Sequence, residues 1–164
     1  MDDSVPAIGD TAPQFTAPVA DDDGISTRSL SHHLGETPVV LAFYPAAFSN
    51  TCTTEFSTFR DRLGPLAGDG ATVLGISTDL PWALVEFREA ESLPFPLVAD
   101  NDASIAADYG VRTRFERLGI DGAAQRSVFV VDSDGEITYR WLADDPGQEP
   151  DYEAVEDAVH AAAN

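Results

Sequence analysis

The chain has 164 residues, with 29 Asp plus Glu against 9 basic residues and a net charge of −20. That length fits a single packed domain spanning 1–164 that buries about 70 per cent of its unfolded surface. So acidic a balance repels nucleic acid, and no apolar run approaches the roughly 18 residues of a membrane span. The opening MDDSVPAIGD is acidic where a secretory leader is basic and then apolar, so a cytoplasmic protein is expected. All nine basic residues are Arg and none is Lys, which points to a salt-adapted protein. At molar salt the screening length falls to about 3 Å and relieves the self-repulsion. An ordinary acidic cytosolic protein is the other reading of the same composition.

Residues 1–36 read as an N-terminal extension. After them, "TPVVLAFY" (37–44), "ATVLGIST" (71–78), "SVFVVD" (127–132) and "GEITYRWL" (135–142) are apolar, β-branched and flanked by Gly, Pro or Asp, which predicts four strands. The last two flank Ser133, Asp134 and Gly135, so they are expected to form an antiparallel hairpin. Between the first two, Phe56, Phe59, Leu63 and Leu66 recur at helical spacing, with Gly64-Pro65 expected to end or kink the helix. A second helix is predicted after Asp79 with Pro81 in its first turn, and a third over 102–109, stopping at Gly110. The last helix, capped by Asp151, carries Tyr152, Val155, Val159 and Ala162 on one face. This order predicts a thioredoxin-like α/β fold, a mixed central sheet with helices on both faces.

Cys52 is the only cysteine. Alone it forms no disulfide within the chain and no four-cysteine zinc site, and a reducing compartment suits it. It falls in the first turn of the helix after the first core strand, where free backbone N–H groups and the positive dipole end favour a thiolate. It also stands four residues before Phe56, on that helix's buried face, where a cysteine serves as a small hydrophobe. Position alone leaves both readings open.

The neighbours of Cys52 separate them. Pro45, Ser49 and Cys52 form P-x-x-x-S-x-x-C, followed by "TTEFSTFRD", and in this the sequence resembles the peroxiredoxins. "GDTAPQF", "VVLAFYP", "VLGISTDLPWALVEF", "PFPLVAD", "DYGV" and "QRSVFVVDSDGEI" extend the resemblance over residues 9–160. It implies a thiol-dependent peroxidase of one-cysteine type, nearest in its "PAAF" stretch to E-type alkyl hydroperoxide reductases, with Cys52 as the attacking sulfur. Ser49 and Arg126 are then donors to the peroxide oxygens, Pro45 a wall against water, and Glu55 a support that binds Arg126. Without that partnership, Glu55 is an ordinary acidic residue of a helix first turn and Arg126 a solvated arginine. Ser49 or Thr51 also serves as a helix cap.

Attack on hydrogen peroxide or an organic hydroperoxide leaves a sulfenic acid, which needs a second thiol for recycling. Bacterioferritin-comigratory-type relatives can carry that thiol five residues on, where this chain has Ser57. The reductant is therefore expected to be external, a small-molecule thiol or a thioredoxin- or glutaredoxin-like protein, with no cofactor. A homodimer is the default expectation. The alternative is a redox-sensing or holdase-type protein that uses the cysteine without efficient turnover. His32 and His33, adjacent in an extended segment, point apart and do not suggest a metal site. Nothing places His160 beside Cys52 for a hydrolase, and Trp82 reads as core, or, as the resemblance allows for an aromatic near that point, as packing beside the active site.

Overall fold

The computed structural model describes residues 5–34, 38–67 and 72–163. Its centre is β3 (Val39–Phe43), parallel to β4 (Thr72–Ser77) on one side and antiparallel to β8 (Ser127–Val131) on the other. β3 and β8 are buried at every position, as unbroken apolar runs must be when both faces of a sheet are covered. Alternation sorts their side chains. Val40, Ala42, Val128 and Val130 face one core, while Val39, Leu41, Phe129 and Val131 face the other.

The first core is closed by α2 (Asn50–Ala67), α3 (Pro81–Ala90) and α5 (Tyr152–Ala162), which contribute Phe56, Phe59, Leu84, Phe87, Val155 and Val159. Asp151 caps α5 as expected, its carboxylate accepting from the Ala154 N–H. Of the two outcomes expected at Gly64-Pro65, an end or a kink, the helix does not end there: α2 runs to Ala67. The expectation that Leu63 and Leu66 continue its buried face lies outside the described side chains, as residues 37 and 71 lie outside the described residues. The second core is closed by α1 (Leu30–His33) and α4 (Ser104–Asp108), the latter followed by Gly110 at φ 69°.

The structure adds to one expectation and corrects two. The N-terminal extension, over its described residues 5–34, joins the sheet: β1 (Thr16–Asp21) and β2 (Gly24–Ser29) form a hairpin, and β1 adds antiparallel to β5 (Leu97–Ala99). Phe15, Ala17, Val19 and Leu30 are core residues, so this segment completes the sheet. Trp82 is 69% exposed, because Pro81, Leu84 and Phe87 define the buried side of α3 and position 82 is rotated about 100° from Pro81. His32 and His33 lie on α1, not on an extended segment.

The large sheet runs β2-β1-β5-β4-β3-β8-β9, where β9 (Ile137–Leu142) pairs antiparallel with β8 after a turn in which Gly135 takes φ 87°. That positive φ is the reason for a glycine there. A second hairpin, unforeseen in the sequence, consists of β6 (Arg112–Phe115), a 3-10 turn at Glu116–Leu118 and β7 (Ile120–Ala124), and stands as a separate two-stranded sheet. No helix among the described residues is long and apolar enough to cross a membrane.

One close approach links the sheet to the helix bearing Cys52. A Cβ on Gly75 would lie 2.7 Å from Leu97 Cδ2 and 2.8 Å from Phe56 Cε1. Gly75→Ala is therefore expected to lower unfolding stability by about 1–3 kcal/mol through overpacking, measured by chemical denaturation.

Candidate active site

Cys52 is the third residue of α2, in the turn whose N–H groups have no partner inside the helix, and it has no exposed surface. It packs in the first core with Phe56 and Tyr44, so the helix does bury it as the apolar pattern required. The chain enters α2 through Phe48, whose φ of 68° is left-handed and unusual for a bulky side chain. That turn is held from the end of β4. Asp79 Oδ2 accepts from the Ala47 N–H at 2.7 Å and from the Ser77 hydroxyl at 2.8 Å.

Arg126, just ahead of β8, brings the second part of the site to the sulfur. Its Nη2 donates to Cys52 Sγ at 3.3 Å and to the Pro146 carbonyl at 2.9 Å; Nη1 donates to Glu55 Oε1 at 2.5 Å; Nε reaches the Pro146 carbonyl at 3.3 Å. The planar fork is thus fixed by a carboxylate and a carbonyl while one nitrogen is turned to sulfur, a task for which Lys has the wrong shape. Arg126 is only 2% exposed, so it is no solvated arginine. Its own backbone is anchored too, the Ala143 N–H donating to the Arg126 carbonyl at 2.9 Å.

Glu55 stands one turn beyond Cys52 and is fully buried, which removes it from the class of ordinary surface acids. Burial pushes its carboxyl up to about 8, against the opposing pull of Arg126. In the unfolded chain the same group titrates near 4.5. The folded state therefore binds the extra proton between those values, and Glu55's contribution to stability, full at the acid end, is lost as pH rises through about 8. Glu55→Gln keeps an acceptor for Arg126 but cannot ionise. Its stability relative to the parent protein should rise steadily across that interval, which denaturant unfolding at a series of pH values will show.

Pro45 and Ser49 flank the same place. Together with Arg126 they line a cleft of about 480 Å³ whose other wall includes Phe115, Leu118, Ile120 and Pro146. The Ser49 hydroxyl donates to the Ala46 carbonyl at 3.1 Å, and the Ser49 carbonyl accepts from the Thr53 N–H at 2.9 Å, so it is the backbone of Ser49 that opens the helix. The structure gathers Pro45, Ser49, Cys52, Glu55 and Arg126 in one place. Sequence reading missed Asp79, which holds the loop, and Pro146, whose part is played by a backbone carbonyl that carries no signature. Asp79 was legible in principle, as the acidic residue closing an apolar strand beside the predicted loop.

Comparison with known proteins identifies the family. Residues 8–140 match the model of the AhpC/TSA family. A Mycobacterium tuberculosis protein named as a peroxiredoxin is 41% identical over 131 residues, 79% of this chain and 80% of the relative. Peroxiredoxin Bcp of Escherichia coli is 38% identical over 133 residues, 80% of this chain and 82% of the relative. Among solved structures, the peroxidoxin BcpB of Mycobacterium tuberculosis superposes with a TM-score of 0.79 at 33% identity, covering 94% of this chain and 96% of that one. The architecture is accordingly the thioredoxin-like fold expected from the order of elements. With Cys52 as its one cysteine, the chain belongs to the AhpC/TSA family and is a peroxiredoxin, a thiol-dependent peroxidase of the one-cysteine type.

Proposed function

We propose that Cys52 is the peroxidatic residue and that Arg126, Ser49, Pro45 and Glu55 serve it. The observation that carries this reading is the Arg126 guanidinium, held by Glu55 and the Pro146 carbonyl with Nη2 on Cys52 Sγ. A sulfur electron pair attacks the terminal oxygen of the peroxide, an S–O bond forms as the O–O bond breaks, and the other oxygen leaves as water or an alcohol after taking a proton. Sulfur loses two electrons and the peroxide gains them. Charge growing on the departing oxygen is met by Arg126 and by the Ser49 hydroxyl, which exchanges its bond to Ala46 for the substrate. Each such donor contributes about 3–4 kcal/mol in comparable sites.

Pro45 has no N–H to offer and walls the cleft. Glu55 is a positioning residue that acts through Arg126. Because Cys52 has no exposed surface, peroxide reaches Sγ through a local opening of the residues around it. The sulfenic acid is then attacked by an external thiol, releasing water and a mixed disulfide that a second thiol resolves. A small-molecule thiol or a thioredoxin- or glutaredoxin-like protein supplies both.

The test is steady-state consumption of hydrogen peroxide with dithiothreitol, or with a thioredoxin and its reductase, at low and at molar salt. Many equivalents of peroxide should disappear per protein, and none above background with Cys52→Ser. Consumption that stops after one equivalent with every thiol tried would reject turnover.

A further inference from the structure

We propose that Asp79 is a positioning residue of the peroxidase reaction: its carboxylate latches the Ala47 N–H and so holds Pro45 and the Ser49 hydroxyl in register with Cys52 and Arg126. This rests on the peroxidase reading above and adds to it a residue that acts through the turn ahead of α2.

Little else holds that turn. Pro45 has no N–H, and the Ser49 N–H and hydroxyl both return to the Ala46 carbonyl, at 3.5 and 3.1 Å, inside the turn itself. Among the described residues, the bond from the Ala47 N–H to Asp79 Oδ2 at 2.7 Å is the one hydrogen bond that ties residues 45–48 to another element. The segment is also strained. Phe48 holds φ 68° while its ring, 54% exposed, rests edge-on 5.2 Å from Phe87. A bulky residue stays in the left-handed region only where its surroundings over-determine it, so freeing Ala47 lets the turn relax.

The carboxylate, in contrast, is fixed to the sheet. Ser77, fully buried at the end of β4, donates its hydroxyl to Asp79 Oδ2 at 2.8 Å and accepts from the Asp79 N–H at 3.3 Å. Asn101 Nδ2 donates to the Asp79 carbonyl at 3.2 Å, from just beyond β5. A carboxylate acceptor forms the shorter, stronger kind of hydrogen bond. The end of a central strand thus sets the position of Ala47, which stands midway between Pro45 and Ser49. Arg126 reaches Sγ from the other side of the site, held by Glu55 and Pro146, so the Ser49 donor alone depends on the latch for its place. Misplacing such a group by 1 Å costs about 10²-fold in rate.

The experiment compares two rate constants for Cys52 in the reduced full chain: oxidation by hydrogen peroxide, which needs the Ser49 donor in place, and alkylation by monobromobimane, which needs only room at Sγ. Asp79→Ala should slow oxidation about 10- to 100-fold and speed alkylation about tenfold. Asp79→Asn, which keeps an acceptor, should recover most of the oxidation rate. Ala47→Pro removes the same bond from its other end. Residues 46–49 form a turn in which Phe48, the third residue, alone has positive φ, a type II arrangement that accepts proline at its second position. It should repeat both effects of Asp79→Ala, and the double variant should be no slower than either single one. Val131→Ala, in the second core, lowers stability without touching the turn and serves as the control. An unaltered oxidation rate in Ala47→Pro, additive slowing in the double variant, or rates in Asp79→Ala that follow stability as they do in Val131→Ala overturns the latch. Where Asp79→Ala does not fold, Ala47→Pro decides by the same two rates. If hydrogen peroxide leaves Cys52 of the parent protein reduced, the peroxidase reading itself fails; rapid oxidation of the parent and of Ala47→Pro alike rejects the latch alone.

Discussion

Replacing Arg126 with Ala is expected to slow the oxidation of Cys52 by hydrogen peroxide about 10²- to 10³-fold, the usual loss when a fixed donor at a developing oxyanion is removed. The same change strands Glu55, which is fully buried and has only Arg126 opposing its desolvation. Where Glu55 is ionised, above about pH 8, breaking the buried pair from one side costs about 3–5 kcal/mol, a large part of the 5–15 kcal/mol that hold a domain together. Rate and stability therefore need to be separated. Arg126→Met combined with Glu55→Gln removes both charges, and should recover most of the stability while leaving the rate low. A double variant that regains the parent rate together with its stability would show that Arg126 serves only the fold. Arg126→Lys should retain little activity, because one ammonium cannot reach Glu55, the Pro146 carbonyl and Sγ together.

The second large effect follows from the missing partner thiol. With several equivalents of peroxide and no reductant, Cys52 should pass from sulfenic to sulfinic acid, and activity should be lost completely and irreversibly. No other cysteine exists in the chain to intercept the first product, and Ser57, on the same helix, has its hydroxyl committed to Glu91 Oε1 at 3.2 Å. Peptide mass spectrometry should find two added oxygens at Cys52, and thiol added afterwards should restore nothing. Thiol present from the start should protect. Full recovery by late addition of thiol would contradict this account.

Much of the sheet was readable because burial on both faces leaves its mark on composition. "VVLAF" and "SVFVV" are apolar at each position or nearly so, and they are β3 and β8. The first hairpin was not readable in that way. "GISTRS" is a partly exposed edge strand and "TAPVAD" its inner neighbour, with a proline and small residues, and they become strands because β1 finds β5 across the chain. β6 and β7 are short and of mixed character, two arginines in one and an aspartate and a glycine in the other, and they lie outside the large sheet. Trp82 was misplaced because large aromatic residues are usually inside, while the register of α3 set by Leu84 and Phe87 turns it outward.

At the site, local sequence pattern placed Cys52, Ser49 and Pro45 on one short loop and helix start. The approach of Arg126 and Glu55, 71 residues apart, came only through family resemblance, since no local pattern encodes so distant a contact. The hold of Asp79 on Ala47 N–H and the acceptance of Arg126 by the Pro146 carbonyl are products of tertiary packing and became visible only in the folded chain.

The most direct test mixes reduced protein with stoichiometric hydrogen peroxide, follows oxidation by stopped flow, and locates the product by mass spectrometry in parent and Cys52→Ser proteins. Rapid appearance of a single added oxygen on Cys52, absent from the serine variant, is the result expected of a peroxidatic thiolate beside Arg126. A folded protein whose Cys52 stays unoxidised would show that the cysteine is core alone and that the family resemblance has outlived the activity.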